Sequence, residues 1–205
     1  MIPDNNPERR DFMLRKLCLL AALLFTFATP EARAVDIKDP ENTLIIELRS
    51  GEVVIEMLPD VAPGHVDRIK KLTRDGEYDN VAFHRVIEGF MAQTGDVQFG
   101  DMEDGYNPSR TGTGGSDLAD LKAEFSSVPF DRGVVGMARA QNPNSGNSQF
   151  FIMFDDGHFL NNQYTVWGRV IDGMEHVDNI KRGAPGSGAV TDPDRMIKVT
   201  VAADR

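Results

Sequence analysis

Eleven consecutive residues, Phe83-His84-Arg85-Val86-Ile87-Glu88-Gly89-Phe90-Met91-Ala92-Gln93, gather one arginine, one amide and several large apolar side chains. No nucleophile or metal cage stands beside them. A guanidinium stays charged and holds its donors in a plane, and a glutamine amide both donates and accepts. That assortment suits a site that grips polar backbone and an apolar ring; it suits the making or breaking of covalent bonds poorly. A second stretch, Met137-Ala138-Arg139-Ala140-Gln141-Asn142-Pro143-Asn144-Ser145-Gly146-Asn147-Ser148-Gln149-Phe150-Phe151-Ile152, adds the amide of Gln149 beside two more aromatic rings. In a strand, Gln149 and Phe151 share one face while Phe150 and Ile152 share the other. One pair can then face a site and the other a core. The histidines His65, His84, His158 and His176 show no ligand spacing, so a metal site is not expected.

The elements that must position these residues are mostly short strands. Leu44 to Arg49 and Val53 to Met57 read as a hairpin around Ser50-Gly51-Glu52. A helix starts near Ala62-Pro63, with proline where its missing N–H costs nothing; Val66, Ile69 and Leu72 recur at helical spacing, and Gly76 closes it. Further β-type segments follow at Ala82–Ile87, Met91–Thr94, Val134–Arg139, Gln149–Phe154, Thr165–Val170 and Lys198–Ala203. A second helix fits Gly173 to Lys181 through Met174, Val177 and Ile180. Many short strands and two helices indicate a mainly β domain whose antiparallel sheet closes on itself. Gly95 to Ser127 lacks periodicity. Its Gly112-Thr113-Gly114-Gly115 run has no Gly-Lys-Ser/Thr and no strand–loop–helix frame for phosphate. Asp101, Glu103 and Asp104 lack calcium-loop spacing, and the segment reads as a solvated loop.

The first 34 residues read as a cleaved export signal. Arg9, Arg10, Arg15 and Lys16 precede an apolar run from Leu17 to Ala28, and Ala32-Arg33-Ala34 is a small-x-small cleavage site. As helix the run spans roughly 18 Å against about 30 Å of hydrocarbon, so stable membrane insertion is not expected. Arg9-Arg10-Asp11-Phe12-Met13-Leu14 resembles a twin-arginine signal, whereas a start at Met13 gives a compact general secretory one; the reading leans to the latter. Removing the signal takes the formal charge from −10 to −11. So acidic a domain disfavours nucleic acid and anionic membranes as partners. The one cysteine, Cys18, lies inside the signal, and a thiol-free mature chain suits an oxidising periplasm. Residues 35–41 would be a linker and 42–205 a single domain, with a monomer as the default.

The two long motifs strongly resemble those of the cyclophilins, the cyclosporin-binding family of peptidyl-prolyl cis-trans isomerases, and the resemblance runs from about Asn42 to Ala203. It implies a closed eight-stranded antiparallel β-barrel capped by two α-helices, and catalysis of X-Pro isomerisation without cofactor or metal. Arg85, directly after the histidine of Phe-His-Arg, falls on the family's catalytic arginine. The resemblance implies a proline pocket lined by Phe90, Met91, Phe151 and Leu160. It implies amide contacts to substrate from Gln93 and Gln149, backbone binding at Ala138 and Arg139, and a polar wall from His84. Gln93-Thr94-Gly95-Asp96 and Gly112 to Gly115 also match the family, and Asp101 to Arg110 looks like an insertion.

Departures from the family pattern set expectations of their own. Cyclosporin-sensitive members carry a tryptophan at the rim, where this chain places Phe159, and Tyr164 replaces the family's histidine at the pocket edge. Trp167 lies in the following strand and cannot substitute. Both exchanges keep an aromatic ring, so proline-containing polypeptides remain expected partners; Phe159 lacks the indole N–H, so cyclosporin is expected to bind weakly. Arg139 stands where eukaryotic members often carry asparagine. Two other functions compete: a proline-binding chaperone or scaffold with little turnover, and a hydrolase using His84 with Ser145 or Ser148. The second has no acid to orient the histidine and no nucleophile elbow.

Overall fold

The computed structural model describes residues 36–205; the export signal expected over residues 1–34 lies outside them. Strands β1 (Thr43–Leu48) and β2 (Gly51–Met57) form the expected hairpin, with Thr43 opposite Glu56 and Leu48 opposite Gly51. They are followed by β3 (Arg85–Ile87), β4 (Met91–Thr94), β5 (Val134–Met137), β6 (Phe150–Met153), β7 (Val166–Asp172) and β8 (Lys198–Val201). All pairings are antiparallel, in one eight-stranded sheet of order β3-β4-β6-β5-β7-β2-β1-β8.

That order leaves β3 and β8 as the two end strands, with no ladder between them. The expected closed barrel is therefore met as a curled sheet with an interrupted seam. Across the seam run single hydrogen bonds, from Phe83 N to Asp194 O (2.8 Å), Met196 N to Val81 O (3.0 Å) and Val190 N to His84 O (3.1 Å). The strand expected from Ala82 shortens to Arg85–Ile87 for this reason, because residues 81–84 pair with a loop and not with a strand.

Helix α1 (Pro63–Arg74) starts at proline as expected and buries Val66, Ile69 and Leu72. It has no side-chain cap of its own. Instead the Glu124 carboxylate accepts the N–H groups of Gly64 and His65, both at 3.1 Å, which satisfies two orphan donors and suits the positive end of the helix dipole. Helix α2 (Met174–Asp178) is shorter than expected. Ile180 is still buried, but beyond the helix the Lys181 N–H turns to the Asp194 carboxylate at 2.9 Å.

The alternation along the strands sorts two apolar clusters. Leu44, Ile46, Val53, Ile55, Val135, Phe150, Ile152 and Trp167 join Val66, Ile69, Leu72 and Val177 from the helices in one cluster. Met91, Val134, Phe151, Met153 and Val166, on the opposite faces of β4 to β7, make the other with Phe130 and Leu160 from outside the strands. Trp167 is fully buried and meets Phe150 edge-on at 5.3 Å, and Phe150 meets Tyr78 the same way at 5.6 Å. No helix of the described residues is long and apolar enough to cross a membrane.

Candidate active site

The site is built from strand register. Arg85 on β3 lies opposite Gln93 on β4, Gln93 opposite Phe151 on β6, and Phe151 opposite Gly136 on β5. One row across four strands thus carries a cation, an amide, an aromatic ring and a bare backbone position. Gly136 has a steric reason: a Cβ there would lie 2.5 Å from the Phe151 ring and 2.6 Å from Phe130. Phe130 stacks beside Phe151 at 5.8 Å. A slip of one residue in any pairing would turn its partners to the other face.

Arg85, Phe90, Met91, Gln93, Ala138, Arg139, Phe151, Phe159, Leu160 and Tyr164 line a cavity of about 300 Å³. Phe159, 65 % exposed, leans on Phe90 at 5.5 Å to form the rim. Tyr164 meets Phe151 edge-on at 5.8 Å. Arg139 lies over the Tyr164 ring at 4.4 Å and spends its donors on the carbonyls of Ala140, Gln141 and Gln163. The Ala138 N–H is also taken, by Gln149 O at 2.9 Å. Gln149 lines a neighbouring cavity of about 450 Å³ that shares Gln93, Ala138 and Arg139 with the first.

A chain of neutral dipoles holds the cation. Arg85 Nη1 donates to Gln93 Oε1 (3.3 Å) and to Met91 Sδ (3.8 Å). Gln93 Nε2 donates to Gln149 Oε1 (3.0 Å), and Gln149 Nε2 to Gly114 O (2.8 Å). Among the described residues Arg74, Arg132, Arg169, Arg182, Arg195 and Arg205 each face a carboxylate. Arg85 does not. Its charge is oriented without being neutralised, the condition under which a fixed cation acts on charge that develops in a ligand.

Three features of the structure bear on what the sequence implies. His84 does not line either cavity. It lies just before β3, its ring packs near Gly112, and burial pushes its pKa below the usual histidine value. The Gly112–Gly115 run, read from the sequence as part of a solvated loop with no phosphate frame, is tied to the interior. Fully buried Asp96 already fills it, with Oδ2 accepting the N–H groups of Gly112 (2.6 Å) and Gly114 (2.9 Å). Third, three possible metal ligands do meet among the described residues: Asp131, Asp156 and His158, all exposed, place ligand atoms within 4.8 Å of one another. His158 Nε2 is hydrogen-bonded to Asp131 at 2.7 Å, and Asp156 Oδ1 accepts the Arg132 N–H at 3.0 Å.

Comparison with known proteins places this geometry. Residues 43–201 match the family described as cyclophilin type peptidyl-prolyl cis-trans isomerase/CLD. The chain belongs to the cyclophilins. It is 58 % identical over 187 residues to a probable peptidyl-prolyl cis-trans isomerase of Brucella suis, covering 91 % of this chain and 95 % of that protein. It is 37 % identical over 134 residues to peptidyl-prolyl cis-trans isomerase B of Bacillus subtilis, covering 64 % of this chain and 85 % of that one. A crystal structure of a Hirschia baltica cyclophilin superposes with a TM-score of 0.69 at 29 % identity, covering 82 % of this chain and 76 % of the other. A Cryptosporidium parvum cyclophilin, crystallised in the presence of the dipeptide Ala-Pro, gives 0.65 at 27 % identity, covering 78 % and 98 %. This cyclophilin is accordingly a peptidyl-prolyl cis-trans isomerase.

Sequence reasoning missed the supports of the cyclophilin site. Glu124, Asp96, Gly136 and the Ser187 carbonyl, which accepts the Arg85 Nε–H at 3.3 Å, act on residues distant in the chain, and single-residue patterns carry no signal for such contacts. His65 is the clearest case: only 2 % exposed, it must donate Nδ1–H to the acceptor-only Glu124 carboxylate at 2.6 Å. Burial holds its pKa below the usual value of about 6.5 despite that carboxylate. The Glu124 carboxyl is held low by His65 and the two helix N–H groups, against the opposing effect of burial.

His65 and His84 both titrate lower folded than unfolded, so the unfolded chain binds more protons as pH falls through about 6.5, and acidification destabilises. Loss of net negative charge towards the isoelectric point near 4.8 works the other way. The difference between wild type and His65→Gln removes that common term. Urea midpoints measured from pH 7.5 to 5 should fall more steeply for wild type than for the variant; parallel curves would contradict the burial of a neutral His65.

Proposed function

We propose that this cyclophilin accelerates X-Pro isomerisation during the folding of exported proteins, by a non-covalent route in which Arg85 stabilises the twisted amide. Amide resonance sets a barrier of roughly 18–20 kcal/mol, and uncatalysed exchange takes tens to hundreds of seconds. As the bond twists, resonance is lost and the prolyl nitrogen regains a lone pair. A donor that meets that lone pair favours the transition state over both planar isomers, which raises turnover and not merely affinity. The observation that carries the reading is an un-neutralised guanidinium on the wall of an apolar cavity. Phe90, Met91, Phe151, Leu160 and Tyr164 form that wall's apolar part.

Gln93 and Gln149 supply amides for the flanking substrate backbone, and Phe159 the rim. His84, behind the site, takes no part in proton transfer, because isomerisation transfers no proton. The serines needed by a hydrolytic reading are committed: Ser148 is fully buried and donates to Gly95 O at 2.7 Å, and Ser145 donates to Asn142 O at 2.6 Å. The Ala-Pro dipeptide present with the Cryptosporidium parvum relative supports proline-containing chains as the ligand.

A protease-coupled assay on an X-Pro peptide tests the mechanism. Arg85→Ala should keep its fold and lose at least about 1.4 kcal/mol of transition-state stabilisation, a tenfold fall in kcat/KM. Equal rates would sink the role of Arg85. A wild type that binds the peptide without turnover would make the protein a proline-binding scaffold.

The Phe159 ring offers cyclosporin an apolar surface but no N–H, and stranding a buried acceptor costs about 1–3 kcal/mol. Weak inhibition of the wild type follows, and Phe159→Trp should tighten it by about tenfold. An unchanged inhibition constant would mean that this ring does not control the inhibitor.

The basic, apolar and small-residue blocks before Val35, together with a domain free of cysteine, support export to the periplasm. Cell fractionation should recover a mature form beginning near Val35 there. Full-length protein held in the inner membrane would contradict cleavage, and loss of export when only twin-arginine transport is blocked would assign the route.

A further inference from the structure

Arg85 reaches its place on a long side chain, and the amide of Gln93 holds only one corner of its guanidinium. A planar group fixed at one corner still pivots. The second fixing point comes from a segment more than ninety residues away in sequence: Arg85 Nε donates to the Ser187 carbonyl at 3.3 Å. With Nε and Nη1 committed, Nη2 has no protein partner among the described residues and is the corner left for a ligand.

We propose that the loop from Gly183 to Val190 is a positioning element for Arg85, with Ser187 and Gly188 as its working residues. The proposal rests on the catalytic reading of Arg85 given above. Several contacts show that the loop is built against β3 and does not merely pass it. Val86 N donates to Gly188 O at 2.7 Å, Gly183 N to Val86 O at 2.9 Å, and Arg85 forms an antiparallel bridge with Ala189. The loop closes on itself through Gly188 N to Ala184 O (2.8 Å) and Ala184 N to Ala189 O (2.9 Å). The Ser187 hydroxyl accepts the Ala189 N–H at 3.2 Å, which fixes the turn that presents the Ser187 carbonyl. At its entrance, Arg182 Nε donates to Glu88 at 2.6 Å and ties the segment to the β3–β4 turn.

Gly188 is the steric key. Its φ of +73° lies in the left-handed region that favours glycine. A Cβ at this position would run into Ile87 Cγ1 and come within 3.2 Å of Arg85 Cγ. A side chain there must displace Ile87, push the loop off β3 or push the stem of Arg85, and the last two movements separate Nε from the Ser187 carbonyl. The free corner of the guanidinium then loses its aim, while the apolar lining of the pocket, on β4, β6 and the 158–164 segment, stays as it was.

The test is a double-mutant cycle on the full mature protein, with Gly188→Ala and Ser187→Ala made singly and in an Arg85→Ala background. NMR exchange on an Ala-Pro peptide gives kcat and KM, and the Arg85 Nε–H resonance reports the hydrogen bond directly. Gly188→Ala should lower kcat by about fivefold to tenfold with KM within about twofold, the pattern of a misplaced catalytic group. It should also speed solvent exchange of the Nε–H, and cause no further loss once Arg85 is alanine. Ser187→Ala, which removes one hydroxyl and adds no bulk, should give the same pattern at about twofold to threefold, and keeps the test open where Gly188→Ala folds poorly. Equal fold-losses in both backgrounds, or a change confined to KM, would overturn the positioning role. Full activity of Arg85→Ala alone would instead remove the catalytic reading, and the loop's role with it.

Discussion

The arrangement depends on keeping one guanidinium charged, oriented and unpaired beside an apolar cavity. A carboxylate within reach would hold Arg85 more firmly and would also cancel much of its field at the ligand. The protein uses a glutamine amide, a thioether sulfur and a backbone carbonyl instead. These dipoles set direction and leave the charge. Elsewhere among the described residues the arginine–carboxylate pair is used freely, as in Arg132 with Asp178 and Arg205 with Glu52. Arg68 and Arg139 also bond only backbone carbonyls, but of these cations Arg85 alone stands on the wall of the cavity between an amide and a thioether.

Much of the fold reads as support for that arrangement. The row Arg85, Gln93, Phe151, Gly136 exists because β3, β4, β6 and β5 pair in one register. Gln93 is held by Gln149, Gln149 by the Gly114 carbonyl, and the glycine run containing Gly114 by buried Asp96. Each step exchanges one protein dipole for the next, so that a side chain in the cavity is fixed by a carboxylate in the interior. On the far flank, Glu124 caps α1 and binds His65, which anchors the segment that follows the glycine run.

Strand alternation and helical spacing were legible directly. Val66, Ile69 and Leu72 reach the core, and Phe150 and Phe151 fall in separate clusters, because period is a property of the chain itself. Arg85, Phe90, Met91, Gln93, Ala138, Arg139 and Phe151 were reached through the two long motifs, and Phe159, Leu160 and Tyr164 through the family resemblance of residues 158–164. His84 was misplaced for a simple reason: adjacency in a motif is not adjacency in a site. The curled sheet with its interrupted seam and the supports at Ser187, Asp96 and Glu124 were not legible. They rest on pairings between segments far apart in sequence, and a carbonyl oxygen acts the same way whatever residue bears it.

The central claim is that Arg85 acts on the twisted amide and not on the planar peptide. NMR measurements on an Ala-Pro peptide can separate the two, giving dissociation constants for each isomer and the rate of interconversion on the protein. For Arg85→Ala the account predicts dissociation constants within about twofold of wild type for both isomers, with on-protein interconversion slowed at least about tenfold. Dissociation constants that weaken tenfold while interconversion keeps its wild-type rate would contradict it, and would make Arg85 a substrate-binding residue.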